Sequence, residues 1–393
     1  MKLLVPTNWD DTLIEQLKDC PIEEFYGKLQ MDCVGGGRPA ISLPLVRKRR
    51  VKQHVRLIRN RGYAFNYLLN ASCLGNHEFT RAGQQRMRRF LGWLSECGVE
   101  RVTLSSPYLA MWVKENFPSL EITASILAHV DTLNKFLFWK EMGAKRIVLS
   151  YDCNRNFSLL RRIQQAGHNC AIALLVNVAC LKECPFIFHH RNSNAHASLT
   201  GDRLRGFGFD YYLLRCSYWR LADPVRFLQA PWIRPEDIEC YENMGINYYK
   251  IAGRTLSTET ILRMVTSYVR RDHRGNLLDL FDPYAEKTGL DRGKIYRSFR
   301  FLFRPQHINV LRLPHLREIM GDIGVCIDNK KLAGFLKELM RRDCYGRSCR
   351  ECSWCREVFQ EAGSIGEDVL DKKKKAYERI LRAAEKGDLF SWF

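Results

Sequence analysis

The sequence has no stretch of about 18 consecutive apolar residues, so nothing in it reads as a membrane-spanning helix. Its opening, MKLLVPTNWDD, has one lysine and a short apolar run that stops at Pro6 and meets acids, which is not the anatomy of a secretory signal. No His-Glu-x-x-His motif occurs and no Ser/His/Asp set is recognisable, so the usual protease signatures are missing. Acids are scarce beside bases: 62 Lys and Arg stand against 43 Asp and Glu, a formal net charge of +19. Such an excess draws anionic partners such as RNA, acidic lipid or a polyanionic substrate. Cysteine, in contrast, is plentiful at 15 residues. Without a secretory signal the expected location is the cytoplasm, where thiols stay reduced. Metal or redox use then explains the cysteines better than a disulfide framework does.

With 393 residues, 46% hydrophobic and 27% charged, the chain has ordinary globular composition and room for one large core plus an appendage. Short β-branched or aromatic runs at 2–6, 23–29, 64–69, 101–104, 121–125, 146–150, 170–176 and 247–252 alternate with amphipathic stretches such as 81–96, 131–142 and 157–166. Gly98, Gly143 and Gly167 stand where helix C-caps belong. This alternation predicts an α/β protein, a (β/α)8 TIM-like barrel over 1–275 that closes with a helix at 257–271. A long connection at 177–234 interrupts it, and such insertions are usually functional. From about 276 to 393 the pattern becomes mainly helical, a smaller C-terminal unit.

That unit contains Cys344 and then Cys349-Arg-Glu-Cys352-Ser-Trp-Cys355. Thiolates this close can wrap one cubane, because each two-residue gap lets the next sulfur reach a neighbouring iron. Zinc competes, since four cysteines also make a closed tetrahedral site. The insertion holds Cys180-Leu-Lys-Glu-Cys184, with Cys216 further on. Cys180 and Cys184 follow the seventh strand at the end where barrel enzymes keep their chemistry. Three thiolates would leave one iron of a cubane open to substrate or water. His190, His196, Cys33 and Cys240 are candidate fourth ligands, and a buried strand thiol is the plain alternative for Cys216. Cys20, Cys97, Cys153, Cys170 and Cys326 read as small hydrophobes in apolar patterns.

On the substrate side, Gly35-Gly36-Gly37-Arg38 follows the second strand, where backbone N–H groups could approach an anion and Arg38 could clamp it. A plain tight turn fits equally. Lys250 and Arg254 share strand parity at the eighth strand and are candidate inward-pointing anion holders. Between strands two and three, Val51, Val55 and Ile58 recur at helical spacing amid Arg47, Lys48, Arg49, Arg50, Lys52, Arg56, Arg59 and Arg61, with no acid among them. Such a helix is either a solvated face or a phosphate-tracking one.

Several stretches, YGKLQMDCVGGGRP at 26–39, FNYLLNASCLGN at 65–76, VNVACLKECPF at 176–186, WIRPEDI at 232–238 and YYKIAGRTLSTE at 248–259, together with the C-terminal cysteines, resemble the collagenase-like peptidase family U32. The resemblance implies a barrel and, as in its hydroxylase members, one or two 4Fe–4S clusters and oxygen-independent hydroxylation. Prephenate serves as oxygen donor in the RNA-modifying members, and a paralogous subunit is a further partner the family suggests. Cys180, Cys184, Cys216 and the C-terminal four carry over as cluster ligands, and Arg38, Lys250 and Arg254 would suit a dicarboxylate donor. The expected activity is hydroxylation of an RNA base or aromatic metabolite. A U32-type peptidase and a non-enzymatic RNA-binding protein with a structural metal are the alternatives. The acidic motif of the collagenase-type members is not found beside Cys180, where Asn177 leads into the loop.

Overall fold

The computed structural model describes residues 1–204, 206, 208–282, 284–285 and 318–389, so the part of the expected C-terminal unit at 286–317 lies outside the described residues. Eight parallel strands close a barrel in sequence order: β1 (Lys2–Pro6), β2 (Ile22–Gly27), β3 (Ala64–Leu69), β4 (Arg101–Leu104), β5 (Glu121–Ala124), β6 (Ala144–Val148), β7 (Ala171–Leu175) and β8 (Tyr248–Lys250). Closure is direct, with Lys2, Leu3 and Leu4 of β1 registered against Tyr248, Tyr249 and Lys250 of β8. The helices between them are α1 (Asp11–Gln16), α2 (Lys48–Asn60), α3 (Arg81–Cys97), α4 (Pro107–Asn116), α5 (Leu133–Glu141) and α6 (Phe157–Ala166). The chain is thus the expected (β/α)8 barrel with a helical C-terminal region.

Local chemistry sets the boundaries. Thr80, Ser106, Thr132, Asn156 and Ser257 each accept a backbone N–H from the first turn of the helix they precede. This is why the fifth helix begins at Leu133 rather than near 131. Gly98 ends α3 at φ 87°, a left-handed cap that glycine adopts without strain. Gly167 does not repeat this, with φ −80°; Asn169, φ 63°, makes the left-handed turn instead. The second strand stops at Gly27, short of the expected 29, because the N–H of Leu29 bonds the Tyr67 hydroxyl (2.9 Å) rather than a neighbouring strand.

The long connection is not structureless. It folds into α7 (Ile187–His196), α8 (Tyr211–Ala222), α9 (Arg226–Gln229) and α10 (Ile238–Glu242), after which β8 leads to α11 (Thr258–Arg270). Cys216 therefore sits on a helix, not a strand; Asp210 caps that helix by accepting the N–H of Leu213. The C-terminal region adds α12 (Phe335–Arg341), α13 (Trp354–Ala362) and α14 (Glu367–Glu385), plus a two-stranded antiparallel sheet of β9 (Val325–Ile327) and β10 (Gly363–Ile365) that periodicity did not reveal. Cys326 on β9 is exposed, unlike the buried hydrophobe expected there.

Apolar packing falls into two layers. Leu4, Tyr26, Leu68, Val148 and Ala173 fill the barrel interior, while a far larger cluster including Leu3, Val5, Phe25 and Phe65 seals strands against helices. Below the interior cluster the floor is polar: Glu24 accepts from Arg146 (2.6 Å) and Asn66 (2.9 Å), and Thr103 donates to Asn66 (2.8 Å). Among the described residues no helix is long and apolar enough to cross a membrane.

Candidate active site at the barrel mouth

Parallel strands deliver their C-terminal ends, and the loops after them, to one face, and the cysteines gather there. Cys180 and Cys184 lie in the loop after β7, packed with Tyr151, Val178 and Ile187. Between them Glu183 turns the chain at φ 49°, its N–H donated to Asp152 (3.0 Å). Cys216 approaches from α8, so that the three thiols perturb one another electrostatically. Burial pushes the Cys180 thiol up and that of Cys184 to about 12, which keeps both protonated until something replaces the proton.

Two buried guanidinium groups face this trio. Arg220, 2% exposed, donates to the Ala179 carbonyl (2.7 Å), the Ser217 hydroxyl (3.0 Å) and the Tyr284 hydroxyl (3.0 Å). It therefore staples the Cys180 loop to the Cys216 helix. Arg191 of α7, 4% exposed, reaches the Leu127 carbonyl (3.4 Å), and burial lowers its pKa. Neither has a carboxylate within ion-pair distance among the described residues. A buried cation without a counter-charge is unfavourable, so an anionic group at these thiols fits the site.

The C-terminal four come together as well. Cys344, in the short turn Cys344–Gly346, joins Cys349, Cys352 and Cys355 around one cavity that Gln229, Leu339, Arg342 and Arg347 complete. Burial pushes the Cys355 thiol to about 12. Arg155, 4% exposed, acts on Cys349 and Cys355; its Nη1 meets the carbonyls of Leu228 and Gln229, but Nε and Nη2 have no partner. This donor set and charge fit a thiolate-held metal group. Among the described residues, however, no three or more His, Cys, Asp or Glu are arranged to hold a metal ion.

The proposed fourth ligands are engaged elsewhere. His190 Nδ1 lies 2.6 Å from Asp210 and His196 Nδ1 2.7 Å from Asp202. Cys33 lines a separate cavity with His77, Glu78 and Arg86, and Cys240 sits on α10 near Asp237 and Lys337.

Anion-holding groups gather deeper in the mouth. Lys250 ends β8 and places its ammonium 4.0 Å from the centre of the Tyr26 ring; burial lowers its pKa to about 8. Arg254 lies past the strand end, where parity no longer applies, yet it is 9% exposed, its Nη1 has no partner, and burial lowers its pKa to about 10. Arg38 is already ion-paired with Asp282, so it brings its own carboxylate. The glycine loop is a turn, not an anion cradle. Asp32 accepts the N–H groups of Val34 and Gly35 (3.0 and 2.7 Å), Ser198 accepts that of Gly36 (2.8 Å), and a Cβ on Gly37 would fall 2.5 Å from Leu127. Sequence reading missed Lys28, fully buried and 2.8 Å from Asp32; counting in twos from Glu24 and Tyr26 on β2 would have pointed it inward. Ile126 packs against both the barrel interior and the Tyr151–Val178–Ile187 cluster that Cys180 and Cys184 flank, so the two halves of the site are contiguous.

Two further groupings weigh on the alternatives. Thr7, His54 and Asp11 form a hydrogen-bonded chain, Oγ1 to Nε2 at 2.6 Å and Nδ1 to Oδ1 at 2.5 Å, that sequence spacing did not reveal. Thr7 and His54 are 1% and 0% exposed and Thr7 also accepts the N–H of Trp9, so the hydroxyl is sealed from substrate. On α2 the expected apolar stripe is buried, but its cations are partly spent: Arg50 pairs with Asp11, Arg59 with Glu100, Arg61 with Glu15, and Lys48 lies over Trp93. The missing acids come from neighbouring elements.

Comparison with known proteins agrees with this architecture. The model of peptidase family U32 matches residues 45–178, from before α2 to just past β7. The chain is 32% identical over 268 residues, 68% of its length and 77% of the relative's, to an uncharacterized protease of Methanocaldococcus jannaschii. It is 39% identical over 53 residues, 14% of this chain and 12% of the relative, to tRNA hydroxylation protein P of Haemophilus influenzae. The solved structure of a U32 peptidase, 20% identical, aligns with a TM-score of 0.48 over 64% of this chain and 92% of its own. The extent of the match to the archaeal relative, with the family model, establishes that this chain belongs to peptidase family U32.

Proposed function

We propose that this chain is a redox enzyme of hydroxylase type, holding iron-sulfur groups at Cys180, Cys184 and Cys216 and at Cys344, Cys349, Cys352 and Cys355, and acting on an RNA base or an aromatic metabolite. The observation that carries the reading is the trio of thiols at the barrel mouth facing Arg191 and Arg220, two buried cations with no carboxylate partner among the described residues. Thiolates around iron supply the missing negative charge. Four cysteines around the tail cavity suit a multi-iron group, with zinc the alternative there.

When bound, such a group supplies one-electron chemistry that protein side chains lack. The chain's own residues do the rest. Arg220 fixes Cys180 against Cys216, and Arg191 offsets the thiolate charge. Lys250 and Arg254 are placed to receive an anionic donor such as prephenate, with Lys28 behind them, and their enclosure keeps water from competing for its carboxylates. The net charge of +19 and the exposed Arg47, Arg49 and Arg56 of the α2 segment suit an RNA substrate. The match to a tRNA hydroxylation protein, short as it is, points the same way.

The peptidase reading draws on the archaeal relative's name, but the hydroxyls of two hydrogen-bonded hydroxyl–His–Asp groupings, Thr7–His54–Asp11 and Ser150–His129–Asp131, are enclosed within the fold. Anaerobic purification followed by iron, sulfide and zinc analysis tests the proposal. Iron and sulfide are expected, with visible absorption diminished in Cys180→Ala and Cys184→Ala. Unchanged iron in both variants would refute the ligand assignment, and peptide cleavage by iron-free protein would favour the peptidase.

A further inference from the structure

We infer that the tail cysteines form an electron-entry site coupled to the trio at the barrel mouth, with Lys182 and the turn Tyr151–Arg155 as the connection between them. The inference rests on the reading that both thiol sets hold iron-sulfur groups, and it assigns the second set a role.

Two independent contacts join the sets. Lys182 stands midway between Cys180 and Cys184, and its ammonium donates to the carbonyls of Cys344 (2.9 Å) and Arg347 (3.0 Å). The same ammonium acts on the Cys349 thiol, and its side chain is only 14% exposed. One lysine side chain therefore spans from the mouth loop to the tail loop. The second link is the five-residue turn Tyr151–Arg155 after β6. Tyr151 belongs to the cluster against which Cys180 and Cys184 pack and Asp152 holds the N–H of Glu183, while Arg155, at the far end of the turn, acts on Cys349 and Cys355. All five residues of the turn are buried, so this link runs through the interior of the fold.

The geometry also separates tasks. The cluster that carries Cys180 and Cys184 adjoins the barrel interior, where a substrate and its donor would sit, through the shared Ile126. The tail set lies where α13 meets α9, with Cys344, Cys349 and Cys352 only partly buried. Near it, Arg347 and Arg350 are exposed with no carboxylate partner among the described residues, which suits an acidic carrier protein. In the transfer, one electron leaves the reduced centre of an acidic one-electron carrier, occupies the tail site and passes to the mouth site. The tail site returns to its oxidised state, and no bond forms or breaks.

The test uses the full chain, purified anaerobically, brought to full iron and sulfide content and reduced with dithionite for electron paramagnetic resonance. Magnetic interaction should broaden or split the signals of the two sites. The double variant Cys352→Ser/Cys355→Ser should retain only the mouth iron and give a sharp spectrum. With reduced ferredoxin as donor, that variant should reduce its mouth site markedly more slowly than the parent. Lys182→Met should slow the same step without loss of iron, and Lys182→Arg should restore it. A parent spectrum equal to the sum of two isolated sites, with unchanged reduction in the variants, overturns the inference. Zinc at the tail with iron kept at the mouth overturns it too, and corrects the tail assignment while leaving the redox reading of the mouth standing. Absence of iron from both sites overturns both.

Discussion

At the floor of the barrel Glu24 is fully enclosed and accepts from Arg146 (2.6 Å), Arg101 (3.0 Å) and Asn66 (2.9 Å), while Glu23 and Glu121 take up the remaining reach of the arginines. At the mouth Arg191, Arg220 and Arg254, and beside the tail cysteines Arg155, are as deeply buried, yet none has a carboxylate within ion-pair distance among the described residues. Carbonyl and hydroxyl oxygens satisfy some of their N–H groups without neutralising the charge. The floor is closed by the protein itself, whereas the arginines at the other end of the barrel have no such pairing, which is where the proposed anionic groups would sit. One barrel thus has two kinds of buried arginine, a kind paired with carboxylates on the strands and an unpaired kind in the turn, helices and loop beyond them.

The largest effect should come from breaking the floor. Glu24→Ala leaves Arg146 and Arg101 facing a gap, and removal of one partner from a buried network typically destabilises by about 3–5 kcal/mol. That is a large share of the roughly 5–15 kcal/mol holding a domain folded. Urea unfolding of the metal-free protein measures it; a loss below about 1 kcal/mol would mean the floor is not closed by these charges. An unpaired buried arginine should respond with the opposite sign. Arg155→Met leaves an apolar side chain against Trp232 and Phe335, whose rings lie 4.9 and 5.6 Å from the guanidinium. In metal-free protein this should be neutral or stabilising by about 1–4 kcal/mol, because an unbalanced buried charge is gone. In iron-loaded protein the same variant should surrender tail iron to a chelator faster than the parent. A metal-free variant as unstable as Glu24→Ala would erase the contrast.

How much of this was legible in sequence follows from range. Strands β1, β3 and β4 were readable to the residue because β-branched and aromatic runs end at charged or turn residues. Cys180, Cys184 and the tail four could be grouped because a few residues separate them, and the fold does bring Cys216 to the first pair. What could not be read were partners supplied from far along the chain. Arg38 looked like a free clamp because Asp282 lies 244 residues away, and the α2 cations looked unopposed because Asp11, Glu15 and Glu100 sit on other elements. Lys182 and Arg155 were invisible for the same reason, their significance arising only when the tail folds back onto the barrel. Cys216 was set in a strand as its plain alternative because aromatic residues around it mimic strand composition, whereas the cap at Asp210 commits the segment to a helix.

The smallest expected effect is also the most diagnostic of the mouth. Burial lowers Lys250 to about 8, against an ordinary lysine value of about 10.4, with nearby Arg254 and Arg146 working in the same direction and Glu24 against it. A dicarboxylate bound beside it favours the charged form. Affinity should therefore be full below pH 8 and fall as the pH rises through 8, as the ammonium loses its proton. Arg254, lowered to about 10, stays cationic over this range and sets the affinity that remains. The fall is expected to be about tenfold between pH 7 and 9, a difference of about 1.4 kcal/mol. Titration calorimetry with prephenate at the two pH values reads it directly. Lys250→Met should bind more weakly at pH 7 and show no further drop at pH 9, because the titrating group is gone. If the variant keeps the drop, another group in the mouth is responsible and Lys250 is, like Arg146 beneath it, part of the closed floor.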